Sequence, residues 1–71
     1  MNEDELKERY NVILDAWNFI KKYKQVEDKE EYWDAVRDES VSIAAKYGNS
    51  KFAVGILKEV LFDLEEISRR V

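Results

Sequence analysis

The side chains in this chain that could do chemistry are carboxylates, amines, hydroxyls and aromatic rings, because it has no His and no Cys. That absence excludes disulfides, thiolate nucleophiles, imidazole bases, zinc fingers and haem or iron–sulfur ligation. The densest chemical group is acidic: Glu27, Glu30, Glu31, Asp34 and Asp38 crowd one stretch. Carboxylates hold calcium or magnesium when their oxygens converge on one point. Acids four apart on a helix, such as Asp34 and Asp38, point outward and diverge. No calcium-binding loop pattern accompanies them, so no metal is expected, and the cluster reads as a solvated acidic face. Glu39 is the one candidate for acid–base work, at the edge of an apolar stripe beside Tyr32 and Ile43. A flanking salt bridge to Arg37 or Lys46 is the expectation instead. Ser40 projects the same way without a base, and its hydroxyl should bond a backbone carbonyl. Gly48 and Gly55 stand alone, so there is no glycine-rich phosphate loop. No catalytic residue, cofactor or small-molecule substrate is expected.

Charge narrows the partners. The net charge is −4. Residues 1–25 and 49–71 each balance, with five acids against five bases and four against four, so the surplus lies in residues 26–48, with seven against three. Nucleic acid, which is held by basic stripes, is disfavoured there, and a basic partner fits better. Rings could stack on bases if lysines were interleaved. Only Lys21, Lys22 and Lys24 around Tyr23 offer this, and large rings also fill a small core efficiently.

The 71 residues make one domain, 1–71, with a small interior. There is no Pro, which suits long helices. No apolar run reaches the ~20 residues of a membrane span, and the acidic start, Met1 to Glu5, is the opposite of a secretory signal. A cytoplasmic protein is expected. The fold class is all-α: an antiparallel three-helix bundle over about 4–24, 29–47 and 50–70. Asn2 to Glu5 supply the first cap and acidic turn, and Lys21, Lys22 and Lys24 the basic last turn. Asp28 with Glu31 has the spacing of a capping box for the second helix. Gly48 is the left-handed residue that ends it, and Asn49 or Ser50 caps the third.

The helical projection sorts the faces. The third helix has one stripe of ordinary width, from Ala53 through Leu57, Val60 and Leu64 to Ile67, and reads as the centre of the core. The second buries Tyr32, Val36, Ile43 and Tyr47, opposite an acidic face of Glu30, Glu31, Asp34 and Asp38. The first helix carries two stripes. Leu6, Tyr10, Ile13, Leu14, Trp17 and Ile20 form one; Val12, Ala16, Phe19 and Tyr23 form the other. Together they span roughly 220°, about twice what a bundle helix needs. Phe62 points away from the core stripe of the third helix, on the same outer side as Gly55, where close approach of another segment is expected.

The pattern Trp17-x-Phe19-x₃-Tyr23, then Glu31-Tyr32-Trp33, Lys46-Tyr47, Ser50-Lys51-Phe52 and Leu64-Glu65 resembles short helical proteins of phages and integrative elements in Gram-positive bacteria, a group with no assigned activity. The resemblance implies a mobile-element setting and no mechanism.

These readings lead to a non-enzymatic protein–protein interaction module, a mobile-element accessory protein working through the first helix. Its partner is another protein or a second copy of itself. Val12, Ala16, Phe19, Tyr23 and Phe62 are the expected contact residues, buried in a homodimer. The alternative is an acidic inhibitor, of the anti-CRISPR or DNA-mimic kind, acting through Glu30, Glu31, Asp34 and Asp38.

Overall fold

The computed structural model describes residues 1–70 and contains three helices: α1 (Glu3–Lys22), α2 (Glu30–Lys46) and α3 (Lys51–Arg70). Among the described residues there is no strand, and the bundle class expected from the periodicity is the one found. The molecule is a rod of 42 × 19 × 17 Å. Its long dimension follows from the 20-residue helices α1 and α3. Each of them is about 30 Å long, at a rise of about 1.5 Å per residue.

The caps follow the sequence at three of four places. The Asn2 side chain accepts from the Glu5 amide at 2.8 Å, and the Glu5 carboxylate accepts from the Asn2 amide at 3.0 Å. This reciprocal box satisfies two donors that a helix start leaves orphaned. α2 ends in a Schellman turn. Gly48 N–H donates to the Ala45 carbonyl and Asn49 N–H to the Ala44 carbonyl. Gly48 has a φ of 63° and Asn49 a φ of 55°. Asn tolerates that left-handed region better than most residues. The Ser50 hydroxyl then accepts from the Ala53 amide at 3.2 Å and opens α3.

The fourth cap differs from expectation. α2 starts at Glu30 with Lys29 as the cap residue, and no side chain bonds its first turn. Asp28 lies in an extended seven-residue connection, Tyr23 to Lys29, rather than at the helix boundary. Two contacts hold that connection open. Val26 packs onto the core, and the Tyr32 hydroxyl donates to the Tyr23 carbonyl at 2.7 Å. The second bond occupies an acceptor that the end of α1 leaves free.

Cross-helix pairs fix the direction of each helix. Asp15 meets Lys46 and Tyr47, Lys22 meets Glu39, and Tyr23 meets Ala35. The numbers rise on α1 as they fall on α2, so the two are antiparallel. Ser40 and Lys58 share one groove between α2 and α3, and Arg37 and Glu65 share the next. These helices are antiparallel as well. α3 packs against both others and is the central strut.

The interior is small. Val12, Phe19 and Val36 are the largest fully buried side chains, with Ala16, Ala44, Ala53, Leu57 and Leu64 around them. At the end where α1 meets the connection, an edge-to-face chain of rings extends the core outward. Phe19–Tyr23, Tyr23–Tyr32 and Tyr32–Trp33 centroids are 5.2, 5.8 and 4.9 Å apart. The buried stripe of α2 is Val36, Ser40 and Ala44, displaced from the expected line so that Ile43 and Tyr47 are only half-buried. Ser40 bonds the Arg37 carbonyl at 2.8 Å, as its position required.

Two polar ties join α1 to α2. Lys22 and the Tyr23 hydroxyl both donate to the Glu39 carboxylate, at 2.6 and 3.1 Å. Glu39 therefore pairs across the bundle, not with Arg37 or Lys46 as expected. Arg37 instead lies 3.5 Å from Asp34, and Lys46 donates to Asp15 at 2.9 Å. The Tyr47 hydroxyl donates to the same Asp15 carboxylate. These donors, Tyr47 foremost, hold the Asp15 carboxyl below its ordinary range despite partial desolvation.

Gly55 is exposed, and a Cβ placed on it meets nothing within 4 Å. No other segment of the chain makes the close approach expected there. Gly55→Ala should therefore stabilise the fold by about 0.5–1 kcal/mol through helix propensity. A rise of several degrees in thermal midpoint by circular dichroism would register it; a fall would mean an unseen contact.

Asp15 is favoured ionised in the folded state. Its contribution is present above the ordinary carboxylate value and is lost as pH falls through the lowered folded value. Tyr23, Tyr32 and Tyr47 are pushed up chiefly by burial. Their contribution is complete below about pH 10 and is lost as pH rises beyond it. Tyr47→Phe should cost about 1–2 kcal/mol in denaturant titration at neutral pH and flatten the acid limb below about pH 4.

Candidate docking face on α1

α1 resolves its doubled apolar surface by turning one stripe inward and leaving the other out. The inward stripe is Val12, Ala16 and Phe19, buried to 1%, 5% and 1% exposure, with Tyr23 half-buried beyond them. These four residues, expected to contact a partner, are the core contribution of α1. The correction has a steric cause. Val12 and Ala16 are short, so they let α1 approach its neighbours closely, and Phe19 then fills the one ring-sized space. Trp17 and Tyr10 at the same positions would hold the helices apart. Phe62 does point outward, at 59% exposure, but it lies on α3 and belongs to neither stripe of α1.

The outward stripe is Leu6, Tyr10, Ile13, Leu14 and Trp17, at 55%, 64%, 54%, 42% and 54% exposure. The set recurs at spacings of four, three and four, with Leu14 alongside and half-buried Ile20 three residues further on. That is the seam spacing of a helix that packs against another helix. Monomers scatter single apolar residues over their surfaces; here five lie in one continuous stripe along one helix. A shallow apolar depression at its first half is walled by Leu6, Tyr10 and Ile13, with Lys7 and Arg9 at the rim.

The rim is charged in a directional way. Glu3 and Asp4 stand at the start of the stripe, and Lys21 at its end, with its ammonium 5.9 Å from the Trp17 ring centre. Arg9 lies 5.6 Å over the Phe52 ring and covers the seam between α1 and α3. In both cases the charged group itself lies over the ring, a cation–π arrangement.

The acidic face of α2 is where the sequence placed it. Glu30, Glu31, Asp34 and Asp38 are all exposed. Among the described residues only Asp34 of these has an ion-pair partner, the neighbouring Arg37. Among the described residues no cluster of acids gathers in a way that could hold a metal ion, and no helix is long and apolar enough to cross a membrane.

Sequence reasoning missed Asp15 as an anchor. The signal was available: Tyr47 lies on the apolar stripe expected of α2, and a phenol packed there needs a hydrogen-bond partner.

The two stripes should respond oppositely to truncation. Phe19→Ala is expected to cost about 3–5 kcal/mol in chemical denaturation. Trp17→Ala should change monomer stability by less than about 1 kcal/mol. Equal losses would mean that the outer stripe is part of the core.

Compared with protein-family models, curated proteins and solved structures, the chain matches none.

Proposed function

We propose that this chain is a non-enzymatic interaction module whose docking surface is the outer stripe of α1. The single observation that carries the reading is Leu6, Tyr10, Ile13, Leu14 and Trp17 left about half-exposed on one face of one helix. Fully burying such a side chain stabilises a protein by about 1.5–3 kcal/mol. A surface that leaves five of them wet has a large gain still available on contact. Tyr and Trp are also the residues that dominate interface energetics when buried by a partner. A mobile-element accessory role rests on the resemblance carried by the Trp17 to Glu65 pattern, and a place in the cytoplasm on the acidic start of the chain.

The second reading is an acidic inhibitor that offers α2 to a basic groove. What favours it is the exposed row of Glu30, Glu31 and Asp38, which have no cationic partner among the described residues. Such a row would steer a basic protein by long-range attraction.

One experiment separates the two. The tagged chain captures its partner from extracts of its own cells, alongside an Ile13→Asp/Trp17→Asp variant and an Asp34→Lys/Asp38→Lys variant. The α1 reading expects capture to fall at least tenfold in the first variant and to persist in the second. The opposite pattern transfers the function to α2. Circular dichroism melts of both variants, expected within a few degrees of the parent, keep unfolding from being mistaken for lost binding.

A further inference from the structure

We infer that the occupant of the outer stripe is a second copy of this chain, paired through α1 in antiparallel orientation about a two-fold axis. The inference rests on the reading of α1 as the docking face and goes beyond it by naming the partner and its register.

The spacing of the stripe sets the register. Leu6, Tyr10, Ile13, Trp17 and Ile20 follow the four–three alternation of a helix–helix seam. Laid antiparallel against itself, α1 brings Leu6 onto the partner's Trp17 and Tyr10 onto the partner's Ile13. The two-fold axis repeats both layers, which makes an isologous interface of four layers. Each layer joins a ring to an aliphatic side chain, the large-against-small alternation that packs densely. A parallel pair would instead stack Tyr10 on Tyr10 and Trp17 on Trp17, with gaps at the aliphatic layers between.

Charge selects the same orientation. In the antiparallel register Glu3 of each chain lies beside the partner's Lys21, once at each end. Lys7 lies level with the partner's Ala16, and Arg9 with the partner's Leu14, so no two bases face each other. The helix dipoles also oppose. In a parallel pair Glu3 would face Glu3 and the dipoles would align. An acidic first turn and a basic last turn on a single helix are complementary only to a helix running the other way.

The area is enough for a dimer, though not a tight one. Five large side chains at about half exposure offer roughly 500 Å² per protomer, near the upper limit for a patch on a monomer. The flanking Lys7, Arg9 and Lys21 stems bring the total toward the ~800 Å² per partner of a standard interface. A reversible dimer with micromolar affinity is the result expected of such a surface.

Sedimentation velocity of the full chain across the micromolar range tests this. The expected result is a monomer–dimer equilibrium that Trp17→Asp weakens by roughly a hundredfold or more, with Ile13→Asp as an independent second variant. Glu3→Lys alone and Lys21→Glu alone should each weaken the dimer by roughly three- to tenfold, and mixing the two variants should restore it. Restoration supports the antiparallel pair. A dimer indifferent to either charge reversal overturns that orientation. A monomer at every concentration overturns self-pairing, and the docking reading then survives only if capture of another protein still depends on Ile13 and Trp17. A dimer indifferent to Trp17→Asp and Ile13→Asp overturns both.

Discussion

The interior of this bundle has room for one ring, and Phe19 occupies it. Among the described residues every other fully buried position is a Val or smaller, and Leu57 and Leu64 line the remaining space. The small residues Ala16, Ser40, Ala44 and Ala53 allow three helices to come close, and the large rings are then displaced to the ends and the outside. Tyr23, Tyr32 and Trp33 form the edge-to-face chain at one end. Tyr10 and Trp17 have no interior to enter. A chain with nine aromatic residues and a core that fits one must place the rest elsewhere, and where it places them is what gives the surface its character.

The polar ties follow from the same narrowness. With small side chains at the centre, α1 and α2 are joined at their margins by Asp15 to Tyr47 and Lys46, and by Glu39 to Lys22 and Tyr23. Both carboxylates take one ammonium and one phenol. The phenol supplies a partly buried donor that stays neutral across ordinary pH, and the exposed ammonium supplies charge. Among the described residues α3 has no such tie; it packs through its apolar stripe.

Much of the fold was legible because helix boundaries depend on local chemistry. Asn2 with Glu5, Gly48 with its left-handed turn, and Ser50 each act within four residues, and each cap forms as its residues dictate. Asp28 had the right local signal and did not act, because Val26 and Tyr32 fix the chain on either side of it. The two stripes of α1 were both visible in the sequence, and so was their excess width. Which one turns inward was not. Periodicity ranks positions by hydrophobicity and angle, and it marks both stripes as apolar without saying which one packs. The choice depends on volume at contact distance, where Val12 and Ala16 fit and Tyr10 and Trp17 do not. The acidic face of α2 was legible in full, since nothing packs on it.

The three sides of α1 leave it little room to drift. One side fits the core, one carries the outer stripe, and the strip between includes Asp15 and Lys22, which anchor α2. On α2 the outer positions need only stay charged. Random substitution would thus be filtered unevenly: replacements should accumulate on the outer face of α2 and around Gly55 on α3, while α1 changes slowly along almost its whole circumference.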